Sequence, residues 1–193
     1  MGISTSKVSK NTLRELVKKT NFEMDEVKAL QEHFSAISSS EVDDGLIDQS
    51  EMKRALGLRG DLFAERLFGL FDENHDGVIN FSEFVQGLSI FAPQASIDQK
   101  LKLSFRIYDF DGDGYIDRRE LYDCLKASLQ ENSMGLNDDQ IRSLVDKTFE
   151  EADMNGDGLI DYNEYKALVL KHPVMIKHMT LSNPVESVRK IRR

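Results

Sequence analysis

The sequence predicts an all-α fold of four helix–loop–helix repeats in two paired lobes, with short two-stranded antiparallel contacts between loops. Three observations predict it. A twelve-residue pattern, D-x-[DN]-x-[DN]-G-x-I-x-x-x-E, occurs three times, and a fourth copy is distorted. Every copy has a glycine (Gly45, Gly77, Gly114, Gly158), an isoleucine two residues later (Ile47, Ile79, Ile116, Ile160) and a closing glutamate (Glu51, Glu83, Glu120, Glu164). The flanking stretches carry apolar residues at helical spacing rather than strand alternation.

Phe63, Leu67, Leu70 and Phe71 lead into the second loop, and Phe84, Leu88 and Phe91 follow it. Leu101, Phe105 and Tyr108 precede the third loop, with Leu121, Leu125 and Leu129 after it. The fourth lies between Ile141–Val145–Phe149 and Tyr165–Leu168–Val169. Capping pairs mark helix starts at Thr20 with Glu23, Ser96 with Gln99, and Asn137 with Gln140. Phe34, Phe71, Phe105 and Phe149 each lie in an entering helix facing its loop and read as core. The expected organisation is a basic N-terminal segment (1–20), a lobe of repeats one and two (21–92), a lobe of repeats three and four (93–170) and a tail (171–193).

Composition narrows the function. Apolar residues make up 40% of the 193 and charged residues 31%, enough for a core and a wet surface. No apolar run is long enough to span a bilayer, and no secretory signal is evident. A single cysteine, Cys124, cannot form an internal disulfide, which points to the cytosol. The net charge of −9 argues against nucleic-acid binding. Setting aside the 15 carboxylates at loop ligand positions turns that charge into +6, so the negative charge sits mainly where a cation would sit. His33, His75, His172 and His178 form no metal-ligand spacing with a cysteine, and no nucleophile motif is present, so the chain reads as a non-enzyme.

The loops have the chemistry of calcium. This hard cation takes about seven oxygens, and an EF-hand loop supplies them from positions 1, 3, 5, 7, 9 and 12, with glycine at 6 for the turn. The second loop offers Asp72, Asn74, Asp76, the Val78 carbonyl, Asn80 through water, and Glu83. The third offers Asp109, Asp111, Asp113, the Tyr115 carbonyl, Asp117 and Glu120. The fourth offers Asp153, Asn155, Asp157, the Leu159 carbonyl, Asp161 and Glu164. With five carboxylates, loop three should attract the ion most strongly. Loop one keeps Asp44, Gly45, Asp48 and Glu51, but Ser40 and Val42 stand where carboxylates belong. Lengthened to Ser38–Glu51, it either coordinates through backbone carbonyls with Asp44 and Glu51, or keeps the shape of a hand without its metal.

The stretch Ile37-Ser-Ser-Ser-Glu-Val-Asp-Asp-Gly-Leu-Ile47 resembles the enlarged first loop of the calcineurin B-like proteins. Leu67-Phe-Gly-Leu-Phe-Asp72, Ser104-Phe-Arg-Ile-Tyr-Asp109, Asp146-Lys-Thr-Phe-Glu-Glu-Ala-Asp153 and Leu170-Lys-His-Pro-Val-Met-Ile-Lys-His-Met-Thr-Leu181 are similar to that family too. The resemblance covers residues 21–181. It implies a calcium sensor whose partner is a serine/threonine kinase. The kinase's apolar regulatory segment would fold as a helix into a groove across both lobes, relieving autoinhibition and bringing the enzyme to a membrane. The related calcineurin B serves a phosphatase instead, which leaves a phosphatase catalytic subunit as the alternative partner. A calcium buffer is the remaining reading. The 11 phenylalanines and 7 methionines suit an adaptable groove, although most belong to the core.

At the N-terminus, Gly2 and Ser6 fit a myristoylation signal. One acyl chain holds weakly, so a second signal is needed. Residues 1–19 provide it with Lys7, Lys10, Arg14, Lys18 and Lys19 against Glu15, and Leu13, Leu16 and Val17 make the segment amphipathic. The expectation is a cytoplasmic protein that attaches reversibly to anionic membrane. Many relatives end with a Phe-Pro-Ser-Phe stretch that the kinase phosphorylates. The last residues here, Asn183-Pro-Val-Glu-Ser-Val-Arg-Lys-Ile-Arg-Arg193, do not resemble it.

Overall fold

A computed structural model describes residues 8–40, 44–58, 60–131, 135–172 and 174. The described residues form nine helices and one two-stranded sheet. In chain order these are α1 (Lys10–Lys19), α2 (Met24–Ser38), α3 (Gln49–Leu56), α4 (Asp61–Phe71), α5 (Phe81–Ser89), α6 (Ile97–Tyr108), β1 (Tyr115–Ile116), α7 (Arg118–Glu131), α8 (Asp138–Ala152), β2 (Ile160–Asp161) and α9 (Tyr162–Lys171). The four predicted loops fall at α2/α3, α4/α5, α6/α7 and α8/α9. No helix among the described residues is long and apolar enough to cross a membrane.

The chain divides into two compact units. The described residues from 8 to 58 and from 67 to 96 belong to the first, and those from 60 to 66 and from 97 to 174 to the second. In the first unit the helices carry an aromatic core. Phe34 meets Phe81 and Phe84 at ring-centroid distances of 5.5 Å each, and Phe71 lies 6.4 Å from Phe84. Val27, Leu30, Ile47, Ile79 and Val85 are fully buried around them. Helix α1 packs on α2 and α5, burying Leu16. The predicted capping pair at Thr20 and Glu23 is displaced: Thr20 closes α1, its hydroxyl donating to the Leu16 carbonyl at 2.7 Å. Glu23 takes the N-cap of α2 in a reciprocal box with Glu26. The carboxylate of Glu23 does the work expected of a hydroxyl, three residues further on.

The second unit packs Leu101 and Phe105 from α6 against Val145 and Phe149 from α8, and Tyr165 and Val169 from α9. The Tyr165 hydroxyl meets Ser104 Oγ at 2.7 Å inside this core, so neither polar group is stranded. The predicted box at Asn137 and Gln140 is present. Cys124 is buried, as a core thiol should be, and burial pushes its pKa up to about 11.

The loop isoleucines pair as the pattern predicts. Ile47 and Ile79 exchange two backbone hydrogen bonds of 2.9 and 2.8 Å in a single antiparallel bridge. In the second unit, β1 and β2 pair antiparallel with Tyr115 opposite Asp161 and Ile116 opposite Ile160. All four isoleucines are buried, so each pairing also closes the roof of a core.

Candidate metal centres

Short side chains turn each loop inward by capturing its own amides. The position-1 aspartates accept from the glycine amides at position 6: Asp72 from Gly77 (3.0 Å), Asp109 from Gly114 (3.2 Å) and Asp153 from Gly158 (3.0 Å). Position 3 accepts from the amide of position 5, at 2.8 Å for Asn74 and Asp76, 3.1 Å for Asp111 and Asp113, and 2.8 Å for Asn155 and Asp157. Position 5 accepts in turn from Val78 (3.1 Å), Tyr115 (2.9 Å) and Leu159 (2.9 Å). These are Asx-type turns, in which the carboxylate or amide oxygen replaces a backbone acceptor.

The closing glutamates have a second task that the spacing did not announce. In each of loops two to four, positions 9 and 12 form a capping box for the exiting helix. Asn80 accepts from the Glu83 amide at 3.1 Å while Glu83 Oε2 accepts from the Asn80 amide at 3.0 Å. Asp117 with Glu120 and Asp161 with Glu164 repeat the exchange. One oxygen of each glutamate is thus fixed by the helix start. In loops three and four the other reaches across the loop: Glu120 Oε1 accepts from the amides of Phe110 (2.6 Å) and Asp111 (3.3 Å), and Glu164 Oε1 from those of Met154 (2.9 Å) and Asn155 (3.2 Å).

The third loop is the most convergent. Ligand oxygens of Asp109, Asp111 and Glu120 lie within 4.8 Å of one another, the one such acidic group of three or more among the described residues. Asp109 Oδ1 is buried there without a hydrogen-bond partner. Burial, with the neighbouring Asp113 and Asp111 charges, raises the Asp109 pKa above its ordinary value. An orphaned buried carboxylate oxygen aimed among other carboxylates is costly alone and well suited to a cation.

Residues 43–88 and residues 98–170 each match the description of an EF-hand domain pair. The chain is 38% identical over 181 residues to the calcineurin B protein of Naegleria gruberi, spanning 94% of this chain and 99% of that one. The chain belongs to the calcineurin B-like family. The calcineurin B protein of Yarrowia lipolytica is 39% identical over 78% of this chain and 84% of its own. Calcineurin B-like protein 5 of Arabidopsis thaliana is 37% identical over 86% and 83%.

As a calcineurin B-like protein, the chain is an EF-hand calcium sensor. Calcium, when bound, supplies the divalent charge that the converging carboxylates lack. The donor set fits it: hard oxygens, one glycine-enabled turn per loop and a glutamate with two oxygens. The residues that would hold it in loops two to four are those named from the spacing, and in the structure all of them stand in their twelve-residue loops. The first loop keeps part of the same frame. Asp44 accepts from the Leu46 amide at 2.9 Å, as position 5 does elsewhere. Glu51 is buried, boxes with Asp48 and accepts from Ser40 Oγ at 3.3 Å. Val42 lies outside the described residues, as does Gly2.

Two features of this calcineurin B-like chain escaped the sequence. His75, at position 4 of the second loop, has φ 58°, where loops three and four place Gly112 and Gly156. Arg66 Nη1 donates to the Ile107 carbonyl at 3.2 Å, and its guanidinium carbon lies 3.1 Å from the centroid of Phe110, in the third loop. Position 4 has no ligand role and Arg66 lies 44 residues from Phe110, so neither pattern nor spacing flagged them.

Proposed function

We propose that this calcineurin B-like sensor is a regulatory protein that holds an apolar helical segment of a serine/threonine kinase. One observation carries the reading. Leu144 on α8, Leu170 near the end of α9 and Val174 beyond it stand 41, 49 and 62% exposed. Large apolar side chains exposed on one unit are the kind of anchor that helix-in-groove recognition uses. The kinase as partner draws on the enlarged first loop and the stretch 170–181. A second reading, a phosphatase catalytic subunit, is favoured by the full-length likeness to the Naegleria calcineurin B protein.

Affinity capture on the calcium-loaded chain from its source cell separates the two. A kinase with an apolar regulatory segment supports the first reading, and a phosphatase catalytic subunit overturns it in favour of the second. Capture of neither, with no calcium-dependent rise in the fluorescence of an apolar-surface dye, makes the chain a buffer.

We further infer reversible attachment to anionic membrane through a myristoyl group on Gly2 and the basic face of α1. Lys10, Arg14 and Lys18 follow one another at four-residue intervals and are exposed, while Leu16 is buried. That spacing sets the cations along one stripe of the helix. Each contributes about 1 kcal/mol at an anionic surface, enough to supplement one acyl chain. Co-sedimentation with phosphatidylserine vesicles tests it: Gly2→Ala and a triple Lys10/Arg14/Lys18→Gln variant should each release the protein. Full retention of both would overturn the inference.

A further inference from the structure

Calcium binding does not use the groove between α7 and α8. It has a volume of about 480 Å³, and Arg118, Arg119, Tyr122, Asp123, Arg142 and Asp146 line it. Three guanidiniums face two carboxylates, which leaves a net positive lining. Arg118 Nη1 pairs with Asp146 Oδ1 at 2.6 Å, and its guanidinium carbon lies 4.4 Å from the Phe149 ring centroid. Arg119 is held only loosely, its Nε lying 3.8 Å from Asp123 Oδ2. Arg142 stacks on Tyr122 at 5.4 Å and, among the described residues, makes no ion pair. Lys126 approaches the same ring at 5.4 Å, but Asp138, 3.1 Å away, already matches its charge.

An aromatic floor under one guanidinium, with two more beside it, is a basic cradle. A carboxylate ligand would only exchange with Asp146 and Asp123, like for like. A phosphate monoester carries about −1.5 to −2 charges and three acceptor oxygens, so it can engage Arg142 and Arg119 while leaving the Arg118–Asp146 pair intact. Planar guanidinium forks suit that group better than ammonium charges do. We propose that the α7–α8 groove binds a phosphorylated serine or threonine side chain of a partner protein. Arg118 and Arg119 occupy positions 10 and 11 of the third loop, which supply no calcium ligand, and the groove does not depend on whether the main partner is a kinase or a phosphatase.

The test is fluorescence anisotropy on the calcium-loaded full chain, with a labelled Gly-Ser peptide bearing one phosphoserine. Saturable binding is expected, at least fivefold weaker in Arg142→Gln and unchanged in Lys147→Gln, which removes the same charge from an exposed position of α8. The glutamate form of the peptide should bind at least fivefold more weakly than the phosphoserine form. Equal losses in the two variants, equal binding of the glutamate peptide, or no saturable binding would each overturn the proposal. So would an Arg142-dependent affinity for phosphatidylserine vesicles without one for the peptide, which would assign the groove to membrane.

Discussion

The second and third loops share the same Asx turns and capping box and differ in what they place on them. Loop three brings five carboxylates at positions 1, 3, 5, 9 and 12, and half-exposes Asp109 and Glu120. Loop two has three, at positions 1, 5 and 12, but buries Asp72 and Glu83 almost completely. Loop three turns at position 4 on Gly112; loop two turns there on His75, whose side chain crowds the backbone at positive φ. The comparison teaches that the turn geometry belongs to the shared Asx frame, whereas attraction for the ion is set separately by charge and burial. Loop three leads by charge count, and loop two offsets part of its deficit by holding its carboxylates away from water.

The largest expected effect breaks the leading loop. Glu120→Gln removes a charged ligand worth about 3 kcal/mol and should weaken calcium at that loop on the order of a hundredfold. Isothermal titration would show one high-affinity event lost, with the second loop unaffected. Next, Gly87→Ala acts on the second hand through packing alone. A Cβ there would clash with the Phe71 ring, in a buried core that cannot open freely. Overpacking of this kind costs about 1–3 kcal/mol, and the better helix propensity of alanine returns up to about 1. Thermal unfolding should show the loss while the calcium affinity of loop three stays unchanged.

Smaller still, His75→Gly should relieve about 1 kcal/mol of left-handed strain, less roughly 0.5 for the freer unfolded chain. The expected result is a slight rise in Tm and a modestly tighter second site, which would narrow the gap between the loops.

The smallest effect concerns acid. Asp98 of α6 bonds Lys102 on its own helix and Lys166 and Tyr162 on α9, and these hold its pKa down to about 2 from 3.8. A depressed folded value means that the stabilisation is present above about pH 4 and is lost as pH falls through 2. Asp98→Asn should therefore lower Tm slightly near neutrality, and the difference from wild type should shrink as pH falls below 4 and vanish only below pH 2.

Much of this was legible because ligand chemistry and helix periodicity both write themselves at fixed intervals. The twelve-residue spacing located Asp72, Asp109 and Asp153 and their partners, and period 3.6 identified Phe34, Phe71, Phe105 and Phe149, all buried. What escaped depends on contacts across the chain. Asp98 and Lys166 are 68 residues apart, and Arg118 and Asp146 are 28 apart. No local pattern couples such pairs. The misplaced start of α2 is a different failure: Thr20 and Glu23 satisfy the motif, but the helix that Thr20 closes lies before it.

The ladder between β1 and β2 means that the last two ion sites cannot answer independently. Whatever tightens one loop pulls on Ile116 and Ile160 together, whereas the first two loops are joined by a single residue pair. The titration of the second unit should be the steeper of the two, with a Hill coefficient nearer two, and damage to Glu164 should be felt at Asp109.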